Sequence, residues 1–164
     1  DKASNSGTWT WSGTRWLRQP HGDLAAGTSL IGMAEDPVSH LLLGVSCCAT
    51  GGGATSTLTW DGSAWHQVGT NTVPGFTVAL VRDPISNRLL MFGDPALVPQ
   101  VWSWTGRDWA LRRNVELPQF PSGAVADTRT GEVVIVGSAA EPVQGSPQPV
   151  HVWTLTATGW SQLG

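Results

Sequence analysis

Apolar residues reach this chain in bursts of strand length: HLLLGVS at 40–46, RLLMFG at 88–93 and EVVIVG at 132–137. Other runs alternate apolar and polar positions, as in STLTWDG at 56–62, QVWSWTG at 100–106 and VHVWTLT at 150–156. On a strand, residues i and i+2 share a face. The alternation therefore places Trp102 and Trp104 side by side, and likewise Trp9 with Trp11, Leu58 with Trp60, and Trp153 with Leu155. Gly, Pro, Asp and Asn punctuate these runs at short intervals, as turn residues do in all-β chains.

The pattern repeats. TWTWSGTRWLR at 8–18 returns as TLTWDGSAWHQ at 57–67, VWSWTGRDWAL at 101–111 and VWTLTATGWSQ at 152–162. The last Trp of each phrase, Trp16, Trp65, Trp109 and Trp160, recurs at spacings of 49, 44 and 51 residues. A second landmark keeps the same beat: DPVSH at 36–40, DPISN at 83–87 and DTRTG at 127–131. Each unit parses into four strands. The first ends at the Asp turn, the second is the β-rich run, the third carries the aromatic alternation and the fourth begins at the last Trp. Asp-Pro and Asp-Gly initiate tight reversals, with Gly13, Gly62 and Gly106 in the third turn and Gly159 in the last unit.

Four short antiparallel strands repeated at this period describe a propeller blade. The expected fold is all-β: a propeller segment filling 1–164, with half a blade at 8–18 and full blades at 27–69, 75–114 and 122–164. All ten Trp residues fall inside the four phrases. They are read as wedges between neighbouring sheets, because a platform for sugars or single-stranded nucleic acid would place Trp on loops. Three and a half units leave sheet edges open. Upstream blades of the same polypeptide, or another copy, are expected to complete the ring.

Composition narrows the function. The net charge is −3, and the nine basic residues are scattered, so no nucleic-acid footprint is drawn. No apolar run is long enough to span a bilayer as a helix. The opening DKASNSG carries no signal-like pattern, which suggests a processed protein or an excised domain. Cys47 and Cys48 are adjacent. Consecutive Cα atoms stand about 3.8 Å apart, closer than an ordinary disulfide requires. A strained vicinal disulfide and two free thiols at a strand end both fit, the thiols better, and no Cys/His spacing for a metal accompanies them.

The pattern D-P-x-x-x-(R)-L-L-x-F-G followed by W-x-W-x-G-x-x-W resembles kelch-repeat propellers, especially the bacterial type similar to the propeller of galactose oxidase. The likeness runs over nearly the whole chain. Kelch blades usually carry Gly-Gly after the second strand; here the pairs are Gly93–Asp94, Gly137–Ser138 and Ser46–Cys47. The oxidase chemistry that the resemblance implies needs tyrosine ligands to copper, and this sequence has no tyrosine. TWDGSAW lacks the spacing of a sialidase Asp box, and DTRTG lacks the Trp of a quinoprotein docking motif, having Ile135 there. His21, His40, His66 and His151 are scattered, whereas a metal site needs three or four converging groups. Asp36, Asp83 and Asp127 share one turn position and are read as backbone caps. GGG at 51–53 is not followed by the Lys of a phosphate loop. No cofactor or metal is expected, and no catalytic residue is assigned.

Function is expected in the longer connections, 18–27, 47–56, 69–75, 94–100, 113–122 and 138–149, which the strand parity brings to one face of the blades. His21, Asp23, Cys47, Cys48, Arg113, Asn114, Glu116 and Glu141 lie in or beside them. The expected role is a non-enzymatic module binding a protein or glycan partner, extracellular or in the cell envelope, the location resting on the scarcity of lysine and on family analogy. The alternatives are the C-terminal part of a carbohydrate-active or oxidase-like propeller enzyme with its catalytic residues upstream, and a half propeller that assembles with itself.

Overall fold

In a computed structural model the apolar bursts become strands, and successive strands pair as antiparallel meanders. The structure describes residues 7–24, 28–47, 54–74, 76–94, 100–112, 120–138, 149–156 and 158–163. The first sheet has two strands, β1 (Trp9–Trp11) and β2 (Trp16–Arg18). The second orders β3 (Ser29–Glu35), β4 (Leu42–Cys47), β5 (Ala54–Trp60) and β6 (Trp65–Pro74). The third holds β7 (Phe76–Asp83), β8 (Arg88–Asp94), β9 (Gln100–Trp104) and β10 (Trp109–Leu111). The fourth holds β11 (Phe120–Asp127), β12 (Glu132–Ser138), β13 (Val150–Thr156) and β14 (Gly159–Leu163). The fold is all-β and blade-like. One boundary departs from the sequence reading: 69–75 is not a loop. β6 continues past a register shift to pair Val73 with Thr55 and Pro74 with Ala54, because β5 begins early enough to offer those residues a partner edge.

The turns explain the repeated polar residues. Asp36 accepts backbone N–H bonds from Val38 and Ser39 and a hydroxyl bond from Ser39. Asp83 receives the N–H of Ile85 and the hydroxyl of Ser86; Asp127 receives the N–H groups of Arg129 and Thr130. The fifth residue of each turn is left-handed, at φ 58° for His40, 51° for Asn87 and 77° for Gly131. Asp36 and Asp83 are buried, and a buried carboxylate needs these donors. The third-to-fourth turns use a side-chain oxygen in the same way: Ser12 accepts from Arg15 N, Asp61 from Ser63 N and Ala64 N, Thr105 from Asp108 N, and Thr156 from Thr158 N.

Each four-stranded sheet has two unlike faces. One, the tryptophan face, carries the aromatic pair set directly across the third and fourth strands. Trp60 opposes Trp65 at a ring separation of 5.4 Å, and Trp104 opposes Trp109 at 5.2 Å. In the two-stranded sheet Trp11 opposes Trp16 at 5.5 Å; in the fourth sheet Leu155 replaces the first Trp opposite Trp160. The other, the receiving face, carries Leu43 and Val45 in the second sheet and Leu90 and Phe92 in the third. Each junction sets the tryptophan face of one sheet on the receiving face of the sheet before it. Leu43 and Val45 are thus buried with Leu89, Met91, Trp102, Trp104 and Trp109. In the next junction Leu90, Phe92 and Val101 are buried with Val133, Ile135 and Leu155. The sheets converge at their first strands, β3 lying against β7 and β7 against β11.

A hydrogen bond fixes the hand of two of these junctions. Trp65 Nε1 donates to Thr8 Oγ1 of the preceding sheet at 2.7 Å, and Trp109 Nε1 donates to Thr57 Oγ1 at 2.8 Å. Thr8 and Thr57 hold the same place in the repeat. The third sheet has Val101 there, and Trp160 Nε1, buried above it, has no partner among the described residues. Trp104 Nε1 is also buried without one. An unpaired buried donor costs about 1–3 kcal/mol.

Two outcomes follow for unfolding experiments. Trp109→Ala, at a side chain 5% exposed, should lower the unfolding free energy by about 3–5 kcal/mol. In urea or thermal melts, Thr57→Val should cost about 1–3 kcal/mol by stranding the Trp109 N–H. Val101→Thr should be close to neutral or stabilising, because the new hydroxyl meets a donor that lacks an acceptor. Equal losses from the two Thr/Val exchanges would refute the pairing of Trp160 with position 101.

Candidate functional site

Antiparallel meanders send all their tight turns to one end and the remaining connections to the other. At the tight end the acidic side chains are occupied by their own turns. Asp61 shows this fully: besides two backbone N–H groups it accepts the Ser63 hydroxyl at 2.8 Å and contacts His66 Nε2 at 2.7 Å. The Ala64 backbone N–H, then His66, then Ser63 stabilise its ionised form, so its pKa is pushed far below the usual carboxylate value. Asp127 is lowered too, chiefly by the Arg129 backbone N–H. His40 lies 2.8 Å from Glu35 through Nδ1 and is exposed. His151 Nδ1 is 3.0 Å from Gln162 Nε2 and its ring stacks near Trp153. Each histidine thus has a local partner or stands apart from the others, as the sequence reading expects.

The opposite end is where the longer connections leave the sheets. β4 ends at Cys47 and β5 begins at Ala54; β8 ends at Asp94 and β9 begins at Gln100; β12 ends at Ser138 and β13 begins at Val150. Of the residues singled out by sequence, Cys47 is described only as the last residue of β4. Cys48, Arg113, Asn114, Glu116 and Glu141 lie outside the described residues. His21 and Asp23 are described, and the chain turns them back toward the neighbouring sheet. His21 bridges Ala64, in the tight turn of the second sheet, through its backbone. Asp23 is held by both carboxylate oxygens against Arg18 Nη2, each at 2.9 Å, in an exposed pair. The Thr8 hydroxyl ties this corner together, donating to the Gly22 carbonyl while it accepts from Trp65. A Cβ on Gly22 would stand 2.6 Å from the Thr8 Cβ, which no side chain could tolerate without a shift. The same contact recurs one sheet on, where the segment after the fourth strand meets the next turn: a Cβ on Gly69, at φ 79°, would lie 2.9 Å from the Arg107 carbonyl. Among the described residues, no three of His, Cys, Asp or Glu stand together as a metal-binding group.

Sequence reasoning did not pick out one concavity. A slot of about 290 Å³ opens between the two-stranded sheet and the tryptophan face of the second. Leu30, Met33 and Leu42 form one wall with Trp60 and Trp65; Thr8, Trp9 and Thr10 form the other. It exists because β1 and β2 cover only the outer half of the second sheet. The incomplete unit at 8–18 was the signal for it. The slot's lining contains no titratable side chain, so these residues supply no acid, base or nucleophile.

Compared with known proteins, the chain matches no family model and no curated relative. No helix of the structure is long and apolar enough to cross a membrane.

Asp61 and Asp127 set a pH dependence. A carboxylate whose pKa is depressed in the folded state stabilises the fold above its unfolded value, near 3.8, and that stability is lost as pH falls toward the folded value. Melting temperature should therefore decline as the solution is acidified below about pH 4. Asp61→Asn should flatten that decline; an unchanged slope would show that the turn carboxylate is not linked to folding.

Proposed function

We propose that the chain is a non-enzymatic interaction module: a segment of a kelch-like propeller that holds a protein or glycan partner at the end bearing its longer connections. The observation that carries this reading is the inequality of the two ends. At the tight end Asp, Ser and Thr side chains are consumed by their own turns, and every turn repeats from sheet to sheet. At the other end the segments 48–53, 95–99 and 139–149 differ in length and composition on a scaffold that otherwise repeats. Constant framework with variable connections is the arrangement of a binding surface. The fan of sheets, converging at their first strands, supports the propeller geometry. An extracellular or cell-envelope setting belongs to the same proposal and rests on the composition, with Lys2 as the single lysine.

The test is a glycan array and a panel of secreted proteins probed with the purified chain, followed by variants. Arg113→Ala, Glu116→Ala and Glu141→Ala should weaken a captured partner about tenfold or more, roughly 1.4 kcal/mol. Arg129→Ala, at the tight end, should leave it unchanged. A partner lost through Arg129 but indifferent to the three connection variants would overturn the assignment of the binding end.

A further inference from the structure

The rule that governs every junction inside the chain also describes what its two outermost sheets leave uncovered. The first sheet exposes a tryptophan face, with Trp11 at 55% and Trp16 at 63% exposure. The fourth exposes a receiving face, with Val125 at 61%, Val136 at 36% and Leu163 at 51%. These are the residues that are buried where a neighbour is present. Trp16 holds the position of Trp65, Trp109 and Trp160, each opposite the end of the third strand. Val136 pairs with Val152 as Phe92 pairs with Val101. In the third-to-fourth junction Trp160 packs edge-on to Phe92 at 6.3 Å. By the same geometry Trp16 of one molecule meets Val136 and Val152 of another.

We propose that this chain associates head to tail with a second copy of itself, the tryptophan face of its two-stranded sheet seated on the receiving face of the partner's fourth sheet. The contact continues the interface already built between its own sheets. A monomer would leave three tryptophans and an aliphatic sheet face in water, a patch of the kind that marks an interaction surface. The two faces differ, so the contact is heterologous, and copies close into a ring or extend as an open series. The inference is independent of the loop-end binding proposed above, because it uses neither the connections nor a foreign partner.

The experiment is sedimentation and light scattering of the whole chain over a concentration series. The expected result is a mass above 17.3 kDa that rises with concentration. Trp16→Glu and Val136→Glu each spoil one of the two faces. Each variant alone should run as a monomer with an unchanged strand spectrum in circular dichroism and a cooperative melt. An equimolar mixture should form a dimer and stop there, because one intact tryptophan face meets one intact receiving face and no free pair is left. Should Val136→Glu unfold the chain, Leu163→Lys on the edge strand β14 spoils the same face. The proposal is overturned by a wild-type monomer at every concentration, by single variants that assemble as the wild type does, or by a mixture that stays monomeric.

Discussion

A sheet of four short strands has two faces and little thickness, and it cannot shield either face alone. Everything in this fold answers that constraint. Stacking each sheet on the one before it buries one face of both, and a chain built from such units must keep two complementary surfaces in register through each repeat. The indole pair is the device that does so. It is broad enough to cover the outer half of a sheet, and the cross-strand placement of its rings locks the third and fourth strands together as well.

The indole N–H adds direction to what would otherwise be greasy contact. A tryptophan donor reaching a threonine on the preceding sheet can be satisfied in one orientation and one translation, so the bond selects the stacking geometry that van der Waals contact alone would leave loose. Where Val101 takes the threonine's place, apolar packing of Trp160 with Phe92 holds the junction without it. The repeat thus tolerates loss of the polar lock at one junction of three, provided the apolar fit survives.

The sheet content and turn chemistry were largely legible in the sequence, because both are local. Asp36, Asp83 and Asp127 cap turns within three residues of themselves, and the alternation around Trp102 and Trp104 fixes which side chains share a face. What lay beyond the sequence was mostly a matter of neighbours. Trp16 and Trp109 sit in the same phrase, yet one is exposed and the other buried, since the motif specifies a strand pair and is silent on whether another sheet lies over it. The continuation of β6 to Pro74 depended on where β5 begins, 20 residues earlier in the chain. His21 and Asp23 were legible as residues following a fourth strand; that the segment folds back onto Thr8 and Ala64 required the packing of two sheets.

The junction bonds join residues 57 and 52 positions apart, whereas each sheet is a meander of consecutive strands. Loop-closure entropy is therefore spent in small steps inside a sheet and in larger ones only when sheets dock. Such a chain folds unit by unit, with nucleation open to any hairpin and growth by stacking. The third sheet, covered on both sides, gains most from its neighbours, and the outer sheets gain least. Amide exchange would consequently be slowest along β8, where Leu89, Leu90, Met91 and Phe92 are all buried, and would quicken outward in both directions. The molecule is a ladder of unequal rungs, firmest at its third.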